Sequence, residues 1–148
     1  MNYYIRKLEL NDLNALSNIM MKAFKENPWN EEWNVEDCYK RLMVFCNIPN
    51  LLSYTLINDI NEICGAAIGY FVPLAGMKEY NLQEFFVDPK LKGNHLGTFL
   101  MEELLKELKN NKIDIIHFYT SGDLYKFYNK FGFNKVSNEY IMNKIITG

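Results

Sequence analysis

A chain of 148 residues with 49% hydrophobic and 15% aromatic residues can bury a real core and is most simply one domain, 1–148, rather than a disordered polymer. Its formal charge of -2 argues against a nucleic-acid binder, whose surface is usually basic and clustered. No apolar run is long enough to span a membrane, the start MNYYIRKLEL lacks the apolar stretch of a secretory leader, and Cys38, Cys46 and Cys64 share no metal-ligand spacing with His95 or His117. A reduced, cytoplasmic protein with buried thiols and no metal is the expectation.

Tyr3, Ile5 and Leu8 alternate loosely as a first strand, and Asn11-Asp12 offers a helix cap. Leu13, Leu16, Ile19, Met20, Ala23 and Phe24 follow at helical spacing until "KENPWNEEWN" breaks the pattern with Pro28. Asn34 can cap a second helix running to about Cys46, with the stripe Cys38, Leu42, Phe45 and Cys46. "LLSYTLI" and "ICGAAIGYFV" read as strands joined by the turn "NDINE", and Gly65 and Gly69 in the second hint at a bulge or a close backbone approach. "PLAGMKE" reads as a further turn and "YNLQEFFV" as a third strand of this meander. A helix of about four turns follows, with Leu96, Phe99, Leu100, Leu104 and Leu108 on one stripe. "IDIIHFYT" reads as a strand, "SGDLYKFYNKF" as a short helix stopped by Gly132, and "FNKVSNEYIMNKII" as a closing strand or strand pair. The order fits an α/β (or α+β) domain: a mixed sheet with helices packed on it.

The junction "VDPKLKGNHLGTFLMEELL", from Val87 to Leu105, carries the most chemistry. The first turn of a helix leaves N–H groups without partners and carries partial positive charge. Gly93 and Gly97 have no side chain to keep a ligand from those amides, and Lys92 adds a cation at the entrance. Together they describe a phosphate cradle. The segment lacks the Gly-Lys-Ser/Thr ending of a nucleotide P-loop and the G-x-G-x-x-G spacing of a dinucleotide fold.

The frame Val87-x-Pro89-x-x-Lys92-Gly93-x-His95-Leu96-Gly97-x-x-Leu100 resembles the acetyl-CoA motif of the GNAT superfamily of N-acyltransferases. A second segment, "LYKFYNKFGF", resembles that family's Y-x-K-x-G-F signature, with Tyr128, Lys130, Gly132 and Phe133 in register. The resemblance covers nearly the whole chain. It departs at Lys92, where Arg or Gln is usual, at His95, where glycine is usual, and at Ser121 and Leu124, where Asn and a small residue are common. It implies a GNAT-type central mixed, mostly antiparallel twisted sheet of six to seven strands flanked by about four helices. It also implies acetyl transfer from acetyl-CoA to a primary amine by direct attack on the thioester. Phe85, Phe86, Val87, Lys92, Gly93, Asn94, His95, Leu96, Gly97, Thr98 and Ser121 are then the expected coenzyme A contacts, with a bulge amide polarising the carbonyl. Ser121 has a simpler reading as a helix N-cap.

Within that frame Tyr128 is the expected general acid, a phenol with an ordinary pKa of about 10. Its other reading is core packing, because Leu124, Tyr128 and Phe131 share a helical face. Glu84 lies in an apolar strand, where a carboxylate is unusual unless paired or functional. It is the candidate base, with contact to the substrate ammonium or plain solvent exposure as the other readings. The loop with Trp29, Trp33, Glu26, Glu31 and Glu32 offers aromatic faces beside carboxylates, which suits an organic cation. It reads equally as a solvated acidic loop with its tryptophans in the core. Tyr54 and Tyr80 are weaker pocket candidates. The expected partner is a small cationic amine, polyamine- or aminoglycoside-like, with a homodimer left open. Peptide or protein amine acetylation and a non-catalytic acyl-CoA-binding or sensing domain are the alternatives.

Overall fold

A computed structural model describes residues 1–147. Among them five strands form one sheet in the order β1-β2-β3-β4-β5: β1 Tyr3–Lys7, β2 Tyr54–Asn58, β3 Ile63–Leu74, β4 Met77–Val87 and β5 Ile115–His117. The first four are antiparallel neighbours, and β5 runs parallel to β4. Helices α1 (Leu13–Lys25), α2 (Val35–Cys46), α3 (Leu96–Asn110) and α4 (Tyr125–Asn129) complete the mixed α/β fold.

The helical stripes decide which face each helix covers. Leu13, Leu16, Met20, Cys38 and Leu42 from α1 and α2 pack on Ala66, Ile68 and Phe86 on one side of the sheet. Leu96, Leu100, Met101, Leu104 and Leu108 from α3 pack with Tyr54, Leu56, Ala67, Tyr80 and Leu82 on the other. Each fully buried side chain of this kind contributes about 1.5–3 kcal/mol of transfer free energy. Asn34 caps α2 as its sequence suggests, accepting from the Asp37 N–H at 2.7 Å. The entry to α1 is held by a buried charge: Asp12 accepts both Arg6 guanidinium nitrogens at 2.8 Å, the Glu9 N–H at 2.9 Å and the Thr55 hydroxyl at 2.8 Å.

Three expectations change. The "PLAGMKE" turn is tighter than expected: β3 and β4 are separated only by Ala75-Gly76, with φ of 47° and 87°, a left-handed pair suited to a two-residue hairpin. Tyr80 is fully buried, with its hydroxyl donating to Leu52 O at 2.7 Å, and Tyr54 is buried as well; neither lines the cavities described below. Gly69 makes room for Tyr80, since a Cβ there would lie 2.4 Å from its ring. The closing strand pair is not formed, which is why the sheet has five strands instead of six to seven. Asn134–Thr147 holds no strand, and Tyr140, Met142 and Ile146 are each more than 80% exposed. Apolar residues on both faces of that segment call for cover on both sides, and β5, three residues long, supplies too short a ladder to recruit it.

Two features of β4 place the site. First, β5 pairs only with Glu79, Tyr80 and Asn81, so Leu82–Val87 has no strand on that side. Second, the β3–β4 register slips between Ile68↔Glu84 and Gly69↔Leu82, which leaves Gln83 as an extra, bulged residue. Side chains alternate along a strand, so an unbroken β4 would put Tyr80, Leu82 and Glu84 on one face. The bulge breaks the alternation and turns Glu84 and Phe86 toward α1 and α2, leaving Phe85 and Val87 with α3 and α4.

Candidate functional site

The cradle follows from how the chain leaves β4. The Asp88 N–H donates to Cys64 O at 2.7 Å and its carboxylate accepts from Lys90 N, fixing the turn Pro89–Leu91. Gly93 (φ 87°) and His95 (φ 55°) then take left-handed conformations that swing the chain into α3. At His95 a residue with a Cβ adopts this at a cost of about 1–2 kcal/mol, which a glycine would avoid. The first bond into α3 runs from the Phe99 N–H to His95 O at 3.1 Å, so the N–H groups of Leu96, Gly97 and Thr98 precede the ladder. A Cβ added at Gly93 would meet nothing within 4 Å, and one at Gly97 would touch only Phe127 at 3.5 Å. The turn is therefore unplugged.

A cleft of about 530 Å³ runs from this turn along β4 to Tyr128. Phe85, Phe86, Val87, Lys92, Gly93, His95, Leu96, Gly97 and Thr98 all line it. Lys92 forms an ion pair with Glu26. Lys130, whose ammonium lies 3.5 Å from the Thr98 hydroxyl and over the Phe127 ring, is a second cation on the same cleft. Asn94 does not line the cleft, because its amide is turned back to donate to Leu91 O at 2.8 Å. Ser121 does not either; it caps the turn Gly122–Leu124 by accepting from the Asp123 N–H at 3.2 Å.

A second cavity of about 250 Å³ lies against the open edge of β4, lined by Glu84, Gln83, Arg41, Trp29, Trp33 and Glu31 among others. Trp29, Phe85 and Tyr128 line both cavities, so the two meet there. Glu84 is 5% exposed and forms an ion pair with Arg41 Nε. Burial pushes its carboxyl above the ordinary carboxylate range, Glu31 adds to the rise, and the Arg41 guanidinium pulls part of the way back. The Trp33 indole N–H donates to Glu31 at 3.0 Å. Trp29 sits edge-on to Phe24, with ring centroids 4.9 Å apart.

Tyr128 is 7% exposed and held by four phenylalanines, with centroids 4.6 Å (Phe118), 5.0 Å (Phe127), 6.1 Å (Phe133) and 6.3 Å (Phe85) away. It belongs to the core and also lines both cavities. Burial pushes its phenol up to about 12, against a smaller downward pull from Thr120. The three thiols are free; burial pushes Cys38 up to about 11 and raises Cys46 and Cys64, so all three stay protonated at neutral pH. Among the described residues no helix is long and apolar enough to cross a membrane, and no cluster of His, Cys, Asp or Glu could hold a metal ion.

Arg41 and Lys130 are the site residues that the sequence did not single out. Arg41 had a signal: it lies three residues after Cys38 and four before Phe45, at the margin of the α2 stripe. Lys130 had only its place in the Tyr128 segment.

Residues 54–147, more than half of the chain, match the family model described as Acetyltransferase (GNAT) domain. No curated protein matches. Solved structures with the same fold include a possible acetyltransferase from Clostridium difficile 630 (10% identity, TM-score 0.82, covering 99% of this chain and 100% of that one). A predicted acetyltransferase with acetyl-CoA from Clostridium acetobutylicum is 18% identical, with a TM-score of 0.72 and 96% of each chain covered. Glucosamine-6-phosphate N-acetyltransferase from Arabidopsis thaliana is 16% identical, with a TM-score of 0.72, covering 99% of this chain and 100% of that one.

Proposed function

The chain belongs to the GNAT acetyltransferase family, and on that premise we propose that it moves an acetyl group from acetyl-CoA to the primary amine of a small cationic molecule. The observation that carries the reading is the meeting of the two cavities at Trp29, Phe85 and Tyr128, beside a stretch of β4 with no neighbouring strand. The larger cleft fits coenzyme A on three counts. It offers unpaired helix N–H groups for a diphosphate, an unfilled glycine turn, and two lysines at its wall. The smaller cavity fits a slender amine. Its volume of about 250 Å³ falls below the roughly 300–1,000 Å³ of sites for drug-sized ligands, and aromatic faces stand beside carboxylates. An amine that bridges the cavity with one end suits this better than a peptide laid along a groove.

Acetyl-CoA supplies the activated acyl carbon as a thioester. Leu96, Gly97 and Thr98 bind its diphosphate through main-chain N–H groups, with Lys92 and Lys130 balancing charge. The bulge at Gln83 and the open edge of β4 present main-chain donors where an oxyanion would develop. Glu84 takes a proton from the acceptor ammonium, a task suited to a carboxyl raised by burial. Tyr128 holds its proton at neutral pH and gives it to the departing sulfur. Trp29 and Trp33 position the acceptor.

The test is purified protein with acetyl-CoA and a panel of polyamines, amino sugars and lysine peptides, read by mass spectrometry of acetylated amine and free coenzyme A. Acetylated small amine is the expected product. Bound acetyl-CoA with no modified amine across the panel would overturn the reading, and preferred peptide modification would overturn its substrate class.

A further inference from the structure

The ion pair between Glu84 and Arg41 has a particular shape. Glu84 sits at 5% exposure on the α1–α2 side of the sheet, and Arg41 is its hydrogen-bonding partner among the described residues. Only Glu84 Oε1 is engaged, and only through Arg41 Nε. Oε2 has no hydrogen-bond partner among the described residues and is not fully enclosed, and Glu84 lines the 250 Å³ cavity. The guanidinium is itself held in place, with its carbon 5.6 Å from the Trp33 ring centroid and 5.2 Å from that of Phe45. Cation–π contact with two rings favours the guanidinium in this position. The other titratable groups facing Glu84 are Glu31 from the α1–α2 loop, Cys38 from α2, Tyr119 after β5 and Tyr128 from α4, none of them cationic.

We propose that Arg41 is a positioning residue: it keeps Glu84 ionised and clamped by one oxygen, so that the other oxygen is presented to the acceptor ammonium. The proposal rests on the base role given to Glu84 above. A buried carboxylate without a counter-charge would take up a proton and could no longer accept one. Single-point pairing through Nε is what leaves the second oxygen available; a two-pronged fork would occupy both.

The experiment follows the Glu84 carboxyl itself, by side-chain carbon NMR across pH, in the full chain, with the resonance assigned by its loss in Glu84→Gln. Arg41→Gln keeps a polar, planar end without charge, and Arg41 is 43% exposed, so the fold should tolerate it. The expected result is a Glu84 midpoint moved upward by one pH unit or more in Arg41→Gln, and by less than half that in Arg41→Lys. A midpoint that stays within 0.3 unit in Arg41→Gln would overturn the proposal. If Arg41→Gln does not fold, the equally uncharged Arg41→Met decides in the same direction, and a midpoint within 0.3 unit there overturns it. Acetyl transfer is measured in parallel. Activity lost by Arg41→Gln at pH 7 should return as pH passes the shifted midpoint, which a purely structural role would not produce. A rate profile that stays fixed while the midpoint moves would remove the base role from Glu84 and leave its pairing with Arg41 standing.

Discussion

Replacing Tyr128 by Phe removes one oxygen and leaves the ring in its cage. Four edge-on or tilted phenylalanine neighbours surround that ring, and each such pair contributes roughly 0.5–1.5 kcal/mol beyond area burial. Because all four survive in Tyr128→Phe, stability should change by less than about 1 kcal/mol, the scale of a single hydroxyl's hydrogen bond. A chain of this size then shifts its Tm by no more than about 2–4 °C. Loss of a positioned general acid costs about 10²–10⁴ in rate, or roughly 2.7–5.5 kcal/mol of barrier. The pH dependence has a defined sign: an acid is competent while protonated, and the Tyr128 phenol is pushed up to about 12. The native enzyme should therefore show no descending limb from Tyr128 between pH 7 and 10. The assay is steady-state coenzyme A release by mass spectrometry, with thermal melts and acetyl-CoA binding as controls. A loss under about fivefold with unchanged binding would refute the acid role, and a fall in wild-type rate centred near an ordinary phenol pKa, gone in Tyr128→Phe, would refute the burial argument.

Gly93→Val places a β-branched side chain at φ 87°, with a cost of about 1–2 kcal/mol in that region, and fills the mouth of the cradle. Calorimetry should show acetyl-CoA affinity falling about tenfold or more, with the acceptor KM unchanged. Asp12→Ala leaves Arg6 and the buried Thr55 hydroxyl without their shared acceptor and should cost about 1–3 kcal/mol in urea unfolding, since Arg6 is partly exposed and can be hydrated. Burial opposes ionisation of Asp12, but Arg6, the Glu9 N–H and Thr55 outweigh it and hold the carboxyl below its usual value. Its contribution is therefore full above the unfolded-state pKa of about 3.9 and fades as pH falls through the lower folded value. Acid unfolding should start at higher pH in any variant that loses Arg6. Gly69→Ala forces a methyl to 2.4 Å from Tyr80 and 2.5 Å from Asn81 O, so overpacking of about 1–3 kcal/mol should appear as a lower urea midpoint.

The sequence makes most of the scaffold legible because helix stripes and strand alternation are local signals. Asn34, Gly132 and the α3 stripe mark boundaries that the folded chain keeps. The cradle is legible for the same reason, since a strand end, a glycine turn and a helix start are contiguous. What is not legible depends on neighbours distant in sequence. "LQEFFV" gives no sign that Gln83 is the extra residue, because the slip is set by pairing with Ile68 and Gly69. Arg41 looks like an ordinary surface cation until β4 brings Glu84 beside it, 43 positions later. Tyr54 and Tyr80 look like pocket material because a tyrosine's polar tip is ambiguous; Leu52 O settles Tyr80 as core. The C-terminal run has strand-like composition, yet composition alone cannot supply a partner ladder.

The bulge at Gln83 makes β4 a strand whose residue count matters more than its residue types. Deleting Gln83 would close the bulge and leave Glu84 and Phe86 on their present faces, because the residue following Leu82 in an unbroken strand already falls on the opposite side. Such a chain would keep its carboxylate beside Arg41 and lose only the local kink in the ladder. Flattening the bulge with Gln83 retained, or inserting a second residue beside it, would instead exchange the faces of everything beyond, driving a carboxylate into the α3 side and laying a phenylalanine ring against Arg41. Length changes at this spot are therefore asymmetric: a loss spares the orientation of the strand tip, whereas a gain inverts it.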